Sequence, residues 1–282
     1  MEENLNICTN CSVEEITIDF INRSKGNPLY NIFLLKGSGI ITVDFADYAY
    51  EGKIVLFSTP YQHVYFQADP TSEIRRLQFH GDFYCIEYHK KEVACNGLLF
   101  NNIFLHPFIR LTNEEYRELH YLTNKLSKEL DFTDTFSNAV ARAYLQLILA
   151  LSSKIKTSSS KSTDLDSNRH PIFKFKALLE RHFNEERQPS FYADQLGIST
   201  NAFSKKCREY FYRSPSEMIA ERVILEAKKL IHLSYRNMKE ISTTLNFADE
   251  NYFSRYFKKH TGVSPTIFRE TVGISIVADP SR

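Results

Sequence analysis

Asn201-Ala202-Phe203-Ser204-Lys205 returns at an offset of 50 as Asn251-Tyr252-Phe253-Ser254-Arg255. Ser214-Pro215 returns as Ser264-Pro265 at the same offset. Upstream, Leu196-Gly197-Ile198 corresponds to Leu245-Asn246-Phe247 at an offset of 49, so the second copy carries one extra turn residue. A repeat of this length implies one structural unit used twice.

Each copy has the layout of a helix-turn-helix, at about 190–211 and 238–260. In the first, Ser190 is read as the cap of a short helix Phe191 to Leu196, Gly197 allows the turn, and Ser199 or Thr200 caps a helix running to about Phe211. Phe203, Cys207, Tyr210 and Phe211 form its expected buried stripe, which leaves Asn201, Lys205 and Arg208, at i, i+4 and i+7, projecting the other way. In the second, Ile241 and Leu245 anchor the first helix and Asp249 caps the next. There Phe253, Tyr256 and Phe257 pack inward, and Asn251, Arg255 and Lys258 form the outward row.

These outward rows hold the side chains that read a duplex. Arg and Lys donate to the acceptor edge of guanine, Asn pairs bidentately with adenine, and a helix fits the major groove. A solvated polar face is the competing reading for one such helix, but two copies on matching apolar skeletons count against it. Between the units, Ser216 to Leu233 reads as one helix with Ile219, Val223, Ala227, Leu230 and Ile231 on one face. Its length of about 27 Å falls short of the roughly 34 Å between successive major-groove entries, so double docking requires tilt or DNA bending.

Charge follows the same division. Residues 1–170 carry 17 Lys+Arg against 21 Asp+Glu, whereas residues 171–282 carry 18 against 13, so a chain of net +1 conceals −4 and +5. A basic C-terminal half suggests a polyanionic partner for that half.

The combination resembles the DNA-binding domain of AraC/XylS-type bacterial transcription regulators over residues 172–270. The resemblance rests on Leu196-Gly197-Ile198-Ser199, Asn201 to Lys205, Ser214-Pro215, Arg222 with Ala227, Asn251 to Lys259, and Gly262-Val263-Ser264-Pro265. Asn246-Phe247 stands where the family usually has Gly-Phe, and Cys207 where it usually has Phe. By that resemblance, base-edge contacts fall at Asn201, Lys205, Asn251 and Arg255. Ser199, Thr200, Ser204, Arg208, Asp249, Ser254 and Lys258 are assigned to the DNA backbone. The resemblance also implies promoter DNA and RNA polymerase as partners, with activation the family tendency, and a cupin-like β-barrel ahead of the C-terminal domain.

The chain reads as α+β, with an all-α C-terminal domain and a first half whose strands suggest an antiparallel sandwich or small barrel. Short β-type runs cover Ile16 to Ile21, Tyr30 to Leu35, Gly39 to Phe45, Lys53 to Phe57, His63 to Gln67 and Glu73 to Phe79, separated by turn-forming pieces such as Lys36-Gly37-Ser38-Gly39. A helical hairpin follows over about 112–155, opened by a Thr112/Glu115 capping box, with Asp134 capping the second helix. The apolar positions of that helix, Phe136, Val140, Ala143, Tyr144, Leu147, Ile148 and Leu151, are expected to cover the sheet or supply a dimer interface. The domain therefore spans residues 1–156, a Ser-rich linker 157–170, and the DNA-binding domain 171–282.

Strand alternation puts His63, Tyr65 and Gln67 on one face, a candidate effector pocket or a solvent-facing surface. A cupin-type metal enzyme with a DNA-binding appendage is the rival reading. It is disfavoured because only His63 and the distant His80 are at hand, with no His-x-His. Five scattered cysteines read as reduced thiols, with Cys8-x-x-Cys11 lacking the second half of a zinc site. No catalytic signature, cofactor or metal is expected, and no stretch is long enough to span a bilayer. An acidic, polar N-terminus argues against export and points to the cytoplasm, and a homodimer that binds DNA is expected there.

Overall fold

The computed structural model describes residues 11–23, 26–44, 46–86, 98–100, 103–104, 106–132, 134–161 and 171–274. Cys8, Cys95, Phe45 and the 162–170 part of the expected linker lie outside them. The fold is mixed, with an antiparallel sheet and helical hairpin first and an all-helical domain after.

Six strands form the sheet: β1 (Cys11–Glu15), β2 (Tyr30–Val43), β3 (Ala46–Ser58), β4 (Val64–Ala68), β5 (Glu73–Phe79) and β6 (Phe108–Arg110), in the order β1-β5-β2-β3-β6 with β4 also on β2. The long β2 pairs with β5 through Tyr30–Lys36 and with β4 through Gly39–Val43. Both faces of its first half are covered. Ile32 and Leu34 join one core with Val55, Phe57, Leu77 and the hairpin residues Leu119, Leu145 and Ile148, while Phe33 and Leu35 join another with Ile41, Ile54, Leu56 and Phe66. This is why the sequence there runs continuously apolar instead of alternating.

Two strand expectations are corrected. Ile16 to Ile21 is not a strand: α1 (Ile18–Arg23) occupies it, although its β-branched residues favour extension. Tertiary contact decides, because α1 buries Ile21 and presents Asn22, whose amide nitrogen donates to the Phe66 carbonyl (2.8 Å) while its oxygen accepts from Phe66 N (2.9 Å). Asn22 thus satisfies the free edge of β4. Nor does Lys36 to Gly39 form a turn, since β2 runs through it. Its glycines serve close approach: a Cβ on Gly39 would lie 2.4 Å from the Gln67 carbonyl, and one on Gly37 would lie 2.2 Å from Ser72 Oγ.

The hairpin comprises α2 (Asn113–Leu130), with the expected Thr112/Glu115 capping box, and α3 (Thr135–Lys161), with Asp134 Oδ1 accepting from the Phe136 and Ser137 amides. The helix does not stop near residue 155. It continues into the Ser-rich stretch, where Thr157 and Ser158 hydroxyls donate to carbonyls one turn back. The apolar row divides: Ile148 is buried against the sheet, whereas Phe136, Val140 and Leu147 are 83%, 40% and 43% exposed.

After a 3₁₀ turn at Pro171–Phe173 come α4 (Lys174–His182), α5 (Pro189–Gln195), α6 (Thr200–Phe211), α7 (Pro215–Leu233), α8 (Met238–Thr244), α9 (Glu250–Thr261) and α10 (Pro265–Val272). They enclose two cores, one around Phe175, Tyr192, Phe203 and Met218, the other around Ile231, Ile241, Phe253, Phe257 and Phe268. The long α7 contributes to both.

Candidate nucleic-acid interface

The two units are built alike from their caps. In the first, α5 opens with Pro189 at its first position after an extended Gln188, so the expected Ser190 cap is corrected: proline's fixed φ starts the helix two residues earlier. Gly197 turns the chain in the left-handed region (φ +66°), and Ser199 caps α6 by accepting from Ala202 N. In the second, Asn237 and Glu240 form a capping box on α8, Asn246 makes the turn at φ +54°, and Asp249 Oδ1 accepts from Tyr252 N at 2.7 Å. Asn is the residue besides Gly that tolerates this conformation, so the Asn246 substitution preserves the turn. The match extends to the helix ends, where Tyr212 and Gly262 are both left-handed C-caps. Ser214-Pro215 and Ser264-Pro265 then open the next helices, each serine as cap and each proline inside the first turn.

Packing fixes which face is free. On α6, Phe203, Cys207 and Phe211 are buried, with Phe203 edge-on to Phe175 at 4.9 Å. Tyr210 was expected in this stripe but is 38% exposed, with its ring edge-on to Phe173. On α9, Phe253 and Phe257 are buried and Phe253 packs on Phe247 at 5.2 Å. The opposite faces present Asn201, Lys205 and Arg208, and Asn251, Arg255 and Lys258, all exposed. Ser204 and Ser254 are half-buried beside these rows, and Thr200 is exposed at the start of α6.

The cations of this domain fall into two groups. Arg222 donates to Glu180 and Glu226 and stacks on Phe183 at 3.9 Å, Arg213 pairs with Glu221, Lys228 donates to the Pro60 carbonyl, and Arg269 donates to the Ile231 carbonyl. Among the described residues, Lys205, Arg208, Arg255 and Lys258 have no such side-chain partner, and neither do Asn201 and Asn251. Their donors are unspent, as a ligand-binding face requires. Asp249 differs. Its carboxylate accepts from Tyr252 N as the helix cap and cannot itself donate to a phosphate.

Sequence reasoning passed over the residues that fix one unit against the other. Arg187, just ahead of α5, lays its guanidinium 3.7 Å from the Phe247 ring centroid and donates to the carbonyls of Leu245 and Asn246, in the turn of the second unit. Asn184 donates to the Thr244 carbonyl at 2.8 Å. Nothing local in the sequence marks either, because their partners lie on α8 and in the turn after it.

The first domain grips the same region. Tyr48 Oη accepts from Arg213 Nε (3.0 Å) and Nη2 (2.6 Å), and Arg213 directly follows the C-cap of α6. Lys228 Nζ reaches the Pro60 carbonyl (2.8 Å), and Tyr61 Oη bonds Thr271 Oγ1 (2.8 Å). A cavity of about 60 Å³ remains in this seam, lined by Asp44, Thr59, Arg213, Glu221, Lys228 and His260 among others, room for a few waters. The candidate effector residues Tyr65 and Gln67 lie on β4, and His63 lies just ahead of it. All three side chains are exposed on the outer face, with Phe66 turned inward between them. Among the described residues no group of three or more His, Cys, Asp or Glu is placed to hold a metal, and no helix is long and apolar enough to cross a membrane.

Residues 192–271 match the family described as a Helix-turn-helix domain. The HTH-type transcriptional activator RhaS of Escherichia coli is 24% identical over 157 residues, 56% of this chain and 54% of that protein. RhaS of Escherichia fergusonii is 24% identical over 159 residues, 56% and 55%. The chain thus spans about half the length of these relatives. Among solved structures, ToxT from Vibrio cholerae is similar over 92% of this chain and 94% of its own, with TM-score 0.38 and 15% identity. The C-terminal domain of AraT, a response regulator from Geobacillus stearothermophilus, is similar over 40% and 93%, with TM-score 0.36 and 23% identity. Residues 192–271 are thus a helix-turn-helix domain.

Proposed function

We propose that this protein is a sequence-specific DNA-binding transcription regulator that activates promoters, reading two successive major grooves with α6 and α9. One observation carries the reading: two outward rows, Asn201/Lys205/Arg208 and Asn251/Arg255/Lys258, stand on duplicated frames with their donors unspent, while Arg213 and Arg222 are held by carboxylates of the fold. Asn201, Lys205, Asn251 and Arg255 contact base edges. Arg208 and Lys258, a turn further along, contact phosphates together with Ser199, Thr200, Ser204 and Ser254. The 19-residue α7 sets the spacing at about 28 Å, so the DNA bends towards the protein.

The N-terminal domain contributes a homodimer interface and a hold on the first reading helix. The exposed row Phe136, Val140 and Leu147 on α3 supports a second copy as its occupant, since the three residues share one stripe of the helix. The Tyr48–Arg213 contact supports control of α6 from the first domain. RNA polymerase is the partner that activation requires, and the cytoplasm is where both are met. The relatives are transcription regulators, and no observation favours the metal-enzyme reading.

The test is recovery of bound genomic fragments by the purified full chain, followed by run-off transcription with RNA polymerase on those fragments. The proposal expects a shared motif among the fragments and more transcript when the protein is present. Fragments without a common motif would refute it. Sedimentation of the full chain and of Leu147→Asp tests the dimer, which the substitution should split into monomers.

A further inference from the structure

The two reading frames meet α7 at different places. Met218 and Ile219, near its start, belong to the core of the first unit, whereas Val223, Ile224, Ala227 and Ile231 belong to that of the second. A helix shared in this way sets how far apart the units lie along its axis, but helices curve, so the tilt of one unit against the other is left to whatever else joins them. That second junction is the connection between α4 and α5. Asn184 donates to the Thr244 carbonyl at 2.8 Å, and Arg187 Nη2 donates to the carbonyls of Leu245 and Asn246. The acceptors are main-chain groups of the turn that Asn246 makes at φ +54°, so the contact holds the backbone itself. Beneath the Arg187 guanidinium, the Phe247 ring packs on Phe253 and Tyr256 at 5.2 and 5.3 Å. The tie thus runs from the first unit to the N-terminal half of α9, the half that carries Asn251 and Arg255.

We propose that Arg187, with Asn184, is a positioning residue that restricts the chain to one spacing between its two groups of base pairs, an inference that rests on the DNA reading given above.

Magnitudes favour this role. Successive base pairs lie roughly 3.4 Å apart along the duplex, with about 10–10.5 of them to a turn, so a site longer by one pair displaces α9 against α6 by that distance and turns it by roughly 35°. Such a shift either breaks the 2.8 Å bond of Asn184, whose range ends near roughly 3.2 Å, or drives the two units into collision. Arg187 resists the rotation as well. Its flat guanidinium stacks on Phe247 at 3.7 Å and donates from its edge at the same time, which sets an angle in addition to a distance. A lysine ammonium, a compact point charge, keeps a donor but loses the planar stack.

Spacing is the readout that a residue serving only stability would not move. Duplexes selected from a random library by the full chain should show one spacing between the two groups, and adding or removing one base pair there should weaken binding by about tenfold or more. Arg187→Ala should keep the base preferences inside each group yet accept spacings one pair longer and shorter within about threefold of the original. Arg187→Lys should behave like it, and Asn184→Ala should change in the same direction by less. Spacing as sharp in Arg187→Ala as in the wild type overturns the proposal, as does loss of base preferences in the second group at unchanged spacing. A second measurement needs no DNA. Spin labels carried by unnatural amino acids at the exposed positions Glu209 on α6 and Lys259 on α9 report the distance between the two helices in the full chain. One narrow distribution is expected in the wild type, and one about twice as wide in Arg187→Ala. Equal widths refute the role of Arg187, whereas wild-type selections without paired groups refute the DNA reading, so the two failures are told apart.

Discussion

Replacing Arg187 by alanine should loosen the second reading unit without touching either outward row. Two interactions disappear. The guanidinium stack on Phe247, 3.7 Å from the ring centroid and partly buried, is worth about 1–2 kcal/mol. The charge-assisted donation to the Leu245 carbonyl is worth about 1.5–3 kcal/mol. The two share one side chain and do not add fully, so a net loss of about 3 kcal/mol is expected. The loss should be local, since the first unit's core around Phe175 and Phe203 does not include Arg187. Hydrogen exchange resolves it: amides of 241–257 should open more than a hundredfold more readily in Arg187→Ala, while those of 203–211 should keep their protection. Uniform exchange across both units, or protection at 241–257 within a factor of three of the wild type, would refute the idea that Arg187 staples them together.

Phe203→Ala and Phe253→Ala remove matched, fully buried rings and should each cost about 3–5 kcal/mol in urea unfolding; a loss below about 1 kcal/mol in either would mean that the two frames are not equivalent. Lys228 is half-buried at the seam with its pKa pulled down by desolvation to about 8, so the unfolded chain binds the proton more tightly and stability contributed by this site rises with pH from about 8 to 10.5. Lys228→Met should therefore be more stable than the wild type at pH 7 by a margin that shrinks over that interval, and a margin flat from pH 7 to 10 would contradict the assignment.

The reading rows were legible in the sequence because periodicity fixes them: once Phe203 and Phe253 are taken as core, Lys205 and Arg255 have no choice of face. Caps at Thr112, Ser199 and Asp249 were legible for the same local reason. What escaped was decided by partners remote in sequence. Ile18 to Arg23 carries strand-forming residues, yet the unpaired edge of β4 at Phe66 recruits it as a helix. Gly37 and Gly39 look like a turn but serve a crossing chain at Ser72 and Gln67. Arg187 and Tyr48 acquire meaning only when α5, the sheet and α7 are brought together, and whether Phe136 would cover the sheet or face outward was open until α3 turned it outward.

The most direct measurement selects duplexes from a random library with the full chain, with Arg255→Ala and with Lys258→Ala, and then measures salt-dependent affinity for the selected and scrambled sequences. The account predicts two groups of specified base pairs whose centres lie about 10–10.5 base pairs apart. Arg255→Ala should erase the preference at one position in one group, costing about 1–3 kcal/mol on the selected site and little on scrambled DNA. Lys258→Ala should instead weaken both alike and reduce the salt slope by roughly one. A single group of specified bases, or an Arg255→Ala loss equal on selected and scrambled DNA, would contradict the claim that two outward helix faces read the duplex.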